Sequence, residues 1–431
     1  MNQKEIVIFW FRRDLRLDDN IGLLNALKSG LPVLPIFIFD EKILANLPKN
    51  DARVNFIHDN LQNLNEKLNE FGSSILVKYG EVAAVWSSLI EDYNVKAVFF
   101  NKDYEPAALK RDNQIIDYLK DRRVAHFDFK DQVIFEQNEI VKNDGLPYTV
   151  YTPFKNKWLE HFQNLPQFNF EEIEIYANNF LQIHVQMPDI EQIGFVKSSI
   201  KVFPHNLTHI KEYHAQRDFP ALDSTNYLSP HLRFGTVSIR KLVIWANKKN
   251  QTFLSELIWR EFFMQILFHF PYSAKNNFKA SYNGIVWRNN ENEFEKWCNG
   301  QTGYPMVDAG MRQLNATGYM HNRVRMVVAS FLCKHLLINW QWGEAYFAEK
   351  LLDFEQSANV GNWQWAAGTG CDAAPYFRVF NPEIQMKKFD PDLIYVKKWI
   401  KDFKPGYLEP IVEHSFARDR AIAAYKKGIA N

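Results

Sequence analysis

The sequence VLPIFIF at residues 33–39 is the longest of four apolar, β-rich runs that decide the fold class of this chain. The other three runs are Ile6–Trp10, Ile75–Val77 and Ala97–Phe100. Their composition predicts buried parallel strands, and residues 55–71 and 107–119 between them have helical periodicity. Strands that alternate with helices predict a doubly wound α/β domain with a parallel sheet. No Gly-x-Gly-x-x-Gly sequence follows the first run, which disfavours an enzyme with a dinucleotide fingerprint.

The rest of the chain has a different pattern. Between residues 130 and 200, Asn, Gln, Pro and scattered aromatic residues predict a long linker with one short helix near Phe154–Phe162. Strand signals nearly vanish after Lys201, and five segments there have helical periodicity. They are Ile239–Lys248, Leu254–Phe268, Pro305–Ala316, Asn322–Leu337 and Ala345–Leu351. We therefore predict an α/β domain at residues 1–129, a linker at 130–200 and an all-helical domain at 201–431.

The two halves of the chain differ in charge. Residues 1–200 hold 22 Lys and Arg against 29 Asp and Glu, a net charge of −7, and residues 201–431 hold 29 against 21, a net charge of +8. A basic second half is typical of a protein that meets a polyanion such as nucleic acid, although a solvated basic face gives the same imbalance. Aromatic residues make up 15% of the chain, which fits either a large aromatic core or a role in stacking and electron transfer.

Cysteine usage and the N-terminal sequence favour a cytoplasmic protein. Cys298, Cys333 and Cys371 have no paired spacing, so a disulfide framework and a structural zinc site are disfavoured and no metal is predicted. The first residues lack a basic region followed by a long apolar run, and the apolar segment at 31–39 is too short to span a bilayer. We expect no contact with membranes.

The segment around Glu256–Phe263 predicts a helix face of mixed chemistry. Glu256, Trp259, Arg260 and Phe263 are spaced i, i+3, i+4 and i+7, so they share one face. A carboxylate, an indole and a guanidinium on one face suit a polar aromatic ligand. An amphipathic helix with an internal Glu–Arg pair would have the same spacing.

Three other segments are rich in groups that bind ligands. Residues 225–235 (TNYLSPHLRFG) place hydroxyl groups and backbone amides at the start of a helix, where they would make a phosphate site. Residues 302–326 contain TGYPMVDAGMRQL and then GYMHNRVRM. Residues 353–367 contain DFE and then NVGNWQWAA.

These segments, together with WFRRDLRLDDN at residues 10–20, resemble the DNA photolyase/cryptochrome family in order and over nearly the whole chain. The similarity is greatest to its class I cyclobutane pyrimidine dimer photolyases. It implies an N-terminal antenna-binding domain and a C-terminal helical domain that binds FAD and DNA. The implied protein is a monomeric carbon–carbon lyase that uses blue light and reduced anionic FAD to split pyrimidine dimers in DNA.

The resemblance implies a set of FAD-binding residues. Those next to the phosphates are Tyr213, Thr225, Asn226, Tyr227, Leu228 and Ser229, and those next to the flavin and ribose are Arg260, Arg325, Asp353, Phe354, Glu355 and Asn359. An Arg325–Asp353 pair is expected beside the flavin ring, because an anionic reduced flavin needs positive charge nearby. Asn359 matches the position that faces the flavin N5.

The resemblance also implies an electron-transfer chain and a substrate cavity. Trp363, Trp340 and Trp287 match the chain that joins the flavin to the surface, and indoles are oxidisable and tolerate burial. Residues that would contact a dimer flipped out of the duplex are Glu256, Trp259, Asn322, Met326 and Trp365. Glu256 is also expected to donate a hydrogen bond to the dimer radical anion. Basic residues that would contact DNA phosphates are Arg323, Arg378, Lys387 and Lys388.

Several positions depart from the family pattern. Asn226 and Tyr227 stand where a hydroxyl residue and a basic residue are common, Tyr319 stands where Trp is common, and Asn362 where Gly is common. Ala107 and Ala108 replace polar and acidic residues of folate-binding relatives, whereas Asp103-Tyr104-Glu105 resembles relatives that bind a deazaflavin. The antenna therefore stays open among a deazaflavin, a second flavin, a folate and none.

The main alternative is a cryptochrome-type blue-light photoreceptor that binds flavin without repairing DNA. Trp259, Asn322, Met326 and Trp365 together favour the photolyase. His321-Asn322 lacks the paired histidines expected of a six-four photolyase, and residues 363–365 (WQW) differ from the DASH-type cryptochromes.

Overall fold

A five-stranded parallel sheet organises the N-terminal part of the chain. The computed structural model describes residues 4–404 and 406–430. The strands are β1 (Glu5–Phe11), β2 (Val33–Asp40), β3 (Leu76–Gly80), β4 (Asn94–Asn101) and β5 (Ala125–Phe129). All neighbours pair in parallel, in the order β3-β2-β1-β4-β5. The four predicted runs are β1 to β4, and the predicted doubly wound class is confirmed.

Eighteen α-helices are present within the described residues. Up to residue 249 they are α1 (Ile21–Leu27), α2 (Glu41–Leu44), α3 (Ala52–Glu70), α4 (Val82–Asp92), α5 (Pro106–Asp121), α6 (Tyr151–Gln163), α7 (Tyr213–Gln216), α8 (Leu228–Phe234) and α9 (Ile239–Lys249). The remaining helices are α10 (Gln251–His269), α11 (Glu291–Cys298), α12 (Pro305–Thr317), α13 (Asn322–Ser330), α14 (Trp340–Lys350), α15 (Gln356–Ala367), α16 (Pro382–Phe389), α17 (Ile394–Trp399) and α18 (His414–Ala430).

Both faces of the sheet are buried, as a doubly wound fold requires. Side chains along β1 alternate between two core clusters, with Ile8 and Trp10 in one and Phe9 and Phe11 in the other. The first cluster includes apolar residues of α4 and α5, and the second includes residues of α1 and α3. The continuous apolar runs in the sequence follow from this two-sided burial.

The chain divides into two compact units that do not follow chain order. The first unit comprises the chain up to Glu136 together with Asn164–Pro204 and Leu228–Trp245. The second comprises Gln137–Gln163, His205–Tyr227 and the chain from Ala246 onward. The predicted linker at 130–200 is therefore divided between the units. Residues 130–136 and 164–200 belong to the first unit, and residues 137–163, which include α6, belong to the second. The predicted boundaries at 129 and 200 divide the chain into consecutive segments, whereas each unit combines segments that are far apart in the sequence.

The charged part of the WFRRDLRLDDN motif forms a buried ion-pair network in the first unit. Arg12 pairs with Asp112 just beyond the end of β1. Arg16 and Arg240 both donate to Asp131, at 2.6 Å and 2.7 Å. Buried charges are tolerated only when they are paired in this way. These arginines therefore have a structural role inside the α/β unit.

The second unit is helical, and its main core cluster is built largely from α12 to α15. The helix predicted at Asn322–Leu337 changes type, because α13 ends at Ser330 and a π-helical turn at Phe331–His335 follows. The helix α14 begins at Trp340, five residues before the predicted start. Across residues 4–404 and 406–430, we find no helix with both the length and the hydropathy to cross a bilayer.

Candidate functional site

One pocket in the second unit brings together residues from separate parts of the sequence. It has a cavity volume of about 100 Å³ and is lined by α13, by the segment between α14 and α15, and by α15 itself. The lining includes nine residues of the predicted site, namely Asn322, Arg325, Met326, Asp353, Phe354, Glu355, Asn359, Trp363 and Trp365. The motifs that were separate in the sequence are therefore neighbours in the fold.

Two ion pairs fix the charged side chains at this pocket. Arg325 donates to both carboxylate oxygens of Asp353, at 2.9 Å and 3.2 Å, and its Nε donates to the carbonyl oxygen of Met320 at 2.8 Å. Arg260, on α10, lies 3.5 Å from the carboxylate of Glu355. The Arg325–Asp353 pair anticipated from the sequence is thus present. The pocket offers positive charge and carboxylate acceptors side by side.

Asn359 is held by a residue that the sequence did not single out. Its Nδ2 donates to the backbone oxygen of Glu344 at 3.0 Å and to the Oε1 of Glu344 at 2.8 Å. Burial raises the pKa of Glu344. Because both hydrogens of the Asn359 amide are engaged on α14, the Oδ1 atom is the group that it offers to a ligand in the pocket.

Two glycines let α15 approach its neighbours closely. A Cβ atom at Gly343 would lie 2.1 Å from the ring of Trp363, and a Cβ atom at Gly361 would lie 2.2 Å from the ring of Phe263. The first contact packs Trp363 onto α14, and the second packs α15 onto α10. In the sequence, a glycine inside a helix only lowers the predicted helix propensity. Its role in close packing becomes visible in the three-dimensional structure.

The three tryptophans of the predicted electron-transfer chain belong to one core cluster. Trp363 lines the pocket and is buried, Trp340 is buried and donates from Nε1 to Asn277 at 2.9 Å, and Trp287 packs against the cluster while partly exposed. Trp363 and Trp340 are thus equally buried, and Trp287 is the partly exposed member of the three. Trp297, which was not predicted, contacts Trp363 edge to face at 6.1 Å between ring centroids. The transfer role of the three remains a prediction.

On the predicted face of α10, each polar residue takes a partner from another element. Glu256 pairs with Arg217, whereas Arg260 reaches Glu355. The indole of Trp259 lies face to face with the ring of Tyr151, with 3.5 Å between centroids and 9° between planes. The orientations of Glu256, Trp259 and Arg260 are therefore set by contacts with other elements, not by contacts within α10.

Arg217 and Tyr151 are the functional candidates that sequence reasoning missed. Tyr151 fell in the predicted linker, although Tyr151, Phe154 and Trp158 form an apolar stripe at i, i+3 and i+7 and all three are buried on α6. Arg217 follows Tyr213, over whose ring its guanidinium lies at 5.5 Å. The stripe could have indicated the position of Tyr151, whereas no pattern around Arg217 points to Glu256.

Comparison with known proteins identifies the family. Residues 7–172 match the family described as "DNA photolyase", and residues 253–405 match the "FAD binding domain of DNA photolyase". The "Deoxyribodipyrimidine photo-lyase" of Halobacterium salinarum is 37% identical, over 97% of this chain and 98% of that protein. The chain belongs to the DNA photolyase family.

Two solved photolyase structures have the same fold. A bacterial class III photolyase from Agrobacterium tumefaciens superposes with a TM-score of 0.87 and 31% identity, over 100% of this chain and 99% of that one. An archaeal photolyase from Sulfolobus tokodaii, solved with two FAD molecules, has a TM-score of 0.82 and 34% identity, over 98% and 99% of the two chains. The predicted architecture, an α/β part with a helical FAD-binding part, is confirmed.

The pocket has the groups that a photolyase needs to hold FAD. Arg325 supplies positive charge, and Asp353 and Glu355 supply acceptors for N–H and hydroxyl groups, while Arg260 pairs with Glu355 without lining the pocket. The Oδ1 atom of Asn359 adds a neutral acceptor at the same wall. This donor set fits the polar edges of a flavin and a ribose.

Two of the residues that depart from the photolyase pattern, Tyr227 and Tyr319, contact each other. Tyr227 has a left-handed backbone, with φ of 54°, and its hydroxyl donates to Asp223. Its ring meets Tyr319 edge to face, with 5.3 Å between centroids. Two unusual residues therefore form one contact at the segment predicted to hold the FAD phosphates.

The remaining residues predicted to bind the FAD phosphates belong to two different units. The backbone oxygen of Asn226 accepts from the amide of Asn206 at 2.9 Å, and Tyr213 packs on Phe253. Leu228 and Ser229 open α8, which belongs to the first unit, and Thr225 precedes them in the second. Their role at the phosphates stays a prediction.

The basic residues predicted to contact DNA differ in their surroundings. Arg323 pairs with Asp218 at 2.7 Å, and its guanidinium lies over the ring of Phe389 at 4.3 Å. Arg378, Lys387 and Lys388 are exposed, the last two near the end of α16. Arg323 is thus already paired, while the other three present their charges to solvent.

The residues that suggested a deazaflavin antenna are engaged within the first unit. Asp103 accepts from Arg13 at 3.1 Å, and the hydroxyl of Tyr104 donates to Glu136 at 3.2 Å. Glu105 pairs with Arg233 at 3.0 Å. This photolyase motif is therefore part of the packing of the α/β unit, and the antenna stays a prediction.

His321 caps α13, the helix that carries Asn322 and Met326. Its Nδ1 accepts from the backbone amide of Arg323 at 3.1 Å, so this nitrogen must be unprotonated. Burial lowers the pKa of His321 from 6.5 to about 4. Between these two values the unfolded chain binds more protons than the folded one, so acid lowers the free energy of unfolding.

We expect replacement of His321 by Asn to remove this acid sensitivity, because Asn caps a helix without titrating. Between pH 6.5 and pH 5 the wild-type protein should lose on the order of 2 kcal/mol more stability than His321→Asn. Urea unfolding of both proteins at the two pH values measures the difference. Equal losses would show that His321 does not carry the effect.

Proposed function

We propose that this chain repairs cyclobutane pyrimidine dimers in DNA with blue light, as a deoxyribodipyrimidine photolyase. The observation that carries the proposal is the pocket at which nine predicted residues from separate motifs meet. It lies among the residues that match the FAD-binding family. Arg325, Asp353, Glu355 and Asn359 would hold FAD, which when bound in its reduced anionic form would supply the light-driven electron for splitting the cyclobutane ring, so the reaction would be a carbon–carbon lyase reaction without net redox change.

The guanidinium of Arg325 would offer an oriented positive charge to an anionic ligand, while Asp353 and Glu355 would accept from N–H and hydroxyl groups. Arg325 is held by Asp353 and by the Met320 carbonyl, so its charge is fixed before a ligand arrives. Fixed charges stabilise an anion without reorganisation cost in a partly buried site. Asn359 would present its Oδ1 to an N–H group of the ligand, with Glu344 holding the amide in that orientation.

Residues at the wall of the same pocket would contact the dimer. Asn322 and Met326 are one turn apart on α13, so they face the same side, and Trp365 comes from α15. The amide of Asn322 can exchange hydrogen bonds with base edges, and the two apolar side chains can pack on the rings. Tyr151 fixes the plane of Trp259, the second predicted stacking residue.

While it is paired with Arg217, the carboxylate of Glu256 would accept hydrogen bonds from the base edges of the dimer. Arg217 donates to its Oε1. The donation of a hydrogen bond to the dimer radical anion, which the family resemblance implies, requires a proton on this carboxylate. Donation would therefore require a proton to reach this carboxylate, whose Oε1 accepts from Arg217.

Photoreactivation in cells tests the proposed function. The chain is expressed in a photolyase-deficient bacterial strain, which is irradiated with ultraviolet light and then kept in blue light or in the dark. We expect survival to rise in blue light only, compared with an empty-vector strain. If survival is the same in light and dark although the purified protein contains FAD, the chain belongs with the cryptochrome-type photoreceptors.

A second chromophore is a separate proposal with three candidates, a deazaflavin, a second flavin and a folate. The Sulfolobus tokodaii photolyase contains two FAD molecules, which supports a flavin, and Ala107 and Ala108 offer no polar group for a folate. Chromophores extracted from the purified protein identify the antenna by absorption and mass. Two FAD molecules per protein chain would support a second flavin as the antenna. One FAD and one molecule of another chromophore per chain would identify that chromophore as the antenna instead.

A further inference from the structure

A buried lysine lies in the π-helical turn that follows α13. Lys334 is 1% exposed, and its Nζ donates to the backbone oxygen of Arg378 at 2.8 Å. Burying an ammonium group is costly unless the group is hydrogen-bonded, and the Arg378 oxygen supplies such an acceptor. Burial lowers the pKa of Lys334 to about 8, so the charged form still predominates at neutral pH. Single-turn π-helices within helical segments occur frequently at functional sites.

The carbonyl that Lys334 holds closes a turn on the protein surface. The amide of Arg378 donates to the oxygen of Pro375 at 2.9 Å, which closes a four-residue turn, Pro375–Arg378. Tyr376 in this turn stacks on Tyr425, with 6.0 Å between ring centroids. The adjacent Phe377 is 60% exposed, and the side chain of Arg378 is also exposed. The turn therefore presents an aromatic ring and a cation to solvent from an anchored backbone.

Other cations near the π-helical turn bind carbonyls of the turn or of Leu336, the residue that follows it. Arg420 donates to the oxygen of His335 at 2.5 Å, and Arg288 donates to the oxygen of Leu336 at 3.1 Å. Lys334 differs, because its bond leaves the turn and reaches a surface segment 44 residues further along the chain. The bond of Lys334 therefore ties the π-helical turn to the Pro375–Arg378 turn.

We infer that Lys334 is a positioning residue that orders the Pro375–Arg378 turn for contact with the DNA backbone. The inference rests on the proposed function, because it takes Arg378 to be a phosphate contact. The hydrogen bond fixes the main chain of the residue whose guanidinium meets the phosphate. A contact that is ordered before binding loses less conformational entropy when DNA arrives. The exposed ring of Phe377 is held beside the DNA by the same anchor.

The replacement Lys334→Met tests the inference, because it keeps the apolar stem and removes the donor. We expect affinity for a dimer-containing duplex to fall about tenfold, in line with the loss of one hydrogen bond from a charged group. The slope of log affinity against log salt should decrease by about 0.9, the value for one phosphate contact. FAD content and the repair rate at saturating DNA should stay unchanged.

Arg420→Met is the matched control, because it removes a cation that binds the same π-helical turn without reaching the Pro375–Arg378 turn. We expect its salt slope to equal that of the wild-type protein. If Lys334→Met does not fold, Lys334→Gln serves instead, since its shorter side chain keeps a polar end but falls short of the Arg378 carbonyl. It should show the same decrease in slope.

A double-mutant cycle with Arg378→Ala isolates the coupling between the two residues. In the Arg378→Ala background, removal of the Lys334 donor should cost little further affinity and leave the slope unchanged. An unaltered slope in the single lysine variant, or full additivity in the cycle, would overturn the inference. Failure of the wild-type protein to bind or repair dimer DNA would instead refute the proposed function.

Discussion

Replacement of Trp363 by Phe is expected to abolish the light-driven reduction of oxidised FAD while leaving repair by chemically reduced protein largely intact. Trp363 lines the pocket and is buried in the cluster that also contains Trp340. A barrier that rises by roughly 1.4 kcal/mol slows a reaction tenfold. Phenylalanine is harder to oxidise than tryptophan by far more than this energy. We therefore expect photoreduction to slow by at least about a hundredfold.

The control for this experiment is Trp297→Phe. Trp297 is buried in the same cluster and contacts Trp363, so its replacement removes a comparable indole from the core. Absorption spectra under blue light with an external electron donor follow the reduction in all three proteins. Normal photoreduction in Trp363→Phe, or an equal loss of photoreduction and of repair, would refute the role given to the tryptophan chain.

Replacement of Glu256 by Ala is expected to lower the repair yield about tenfold, with little change in FAD content. The carboxylate lies on α10 beside Trp259 and is predicted to bind the base edges of the dimer. A hydrogen bond to a charged group such as this carboxylate contributes about 1.5–3 kcal/mol, which corresponds to a tenfold effect or more. Repair per bound FAD is measured from the dimers split at saturating DNA, and FAD content from the spectrum of the same sample.

Arg217→Met separates the substrate contact from the packing of the site. It removes the same ion pair but keeps the carboxylate of Glu256. If Glu256 acts on the dimer, Arg217→Met retains more of the repair yield per bound FAD than Glu256→Ala. If the two variants lose the same yield, or if Glu256→Ala loses FAD while repair per bound FAD is unchanged, the substrate-facing role is wrong.

The sheet was predictable because its strands are buried on both faces, and short continuous apolar runs are typical of strands in that environment. The helix α15 was not predicted, although it carries the central motif. Its sequence, QSANVGNWQWAA, lacks a polar stripe because both of its sides pack against other helices, and Gly361 lowers its propensity. The division into units was also hidden, because residues 164–204 join the α/β unit through contacts that no local pattern encodes.

The candidate site was predicted in part, through motifs whose order along the chain resembles a known family. Residues within those motifs, such as Arg325 and Asp353, are found together as expected. The residues that orient them were missed, because Glu344 and Arg217 act through side-chain contacts that depend on how whole helices pack. Tyr151 lies more than 100 residues before Trp259 in the chain, so its stacking on that indole is a tertiary event.

The most direct test of the proposed function is repair of a thymine-dimer oligonucleotide by the chemically reduced protein under blue light, with a dark sample as control. Splitting of the cyclobutane ring restores the absorbance of the two thymines. We predict that absorbance recovers in the light, that it does not recover in the dark, and that FAD ends in the redox state in which it began. No recovery in the light, from protein with bound and reduced FAD, would contradict the proposed function.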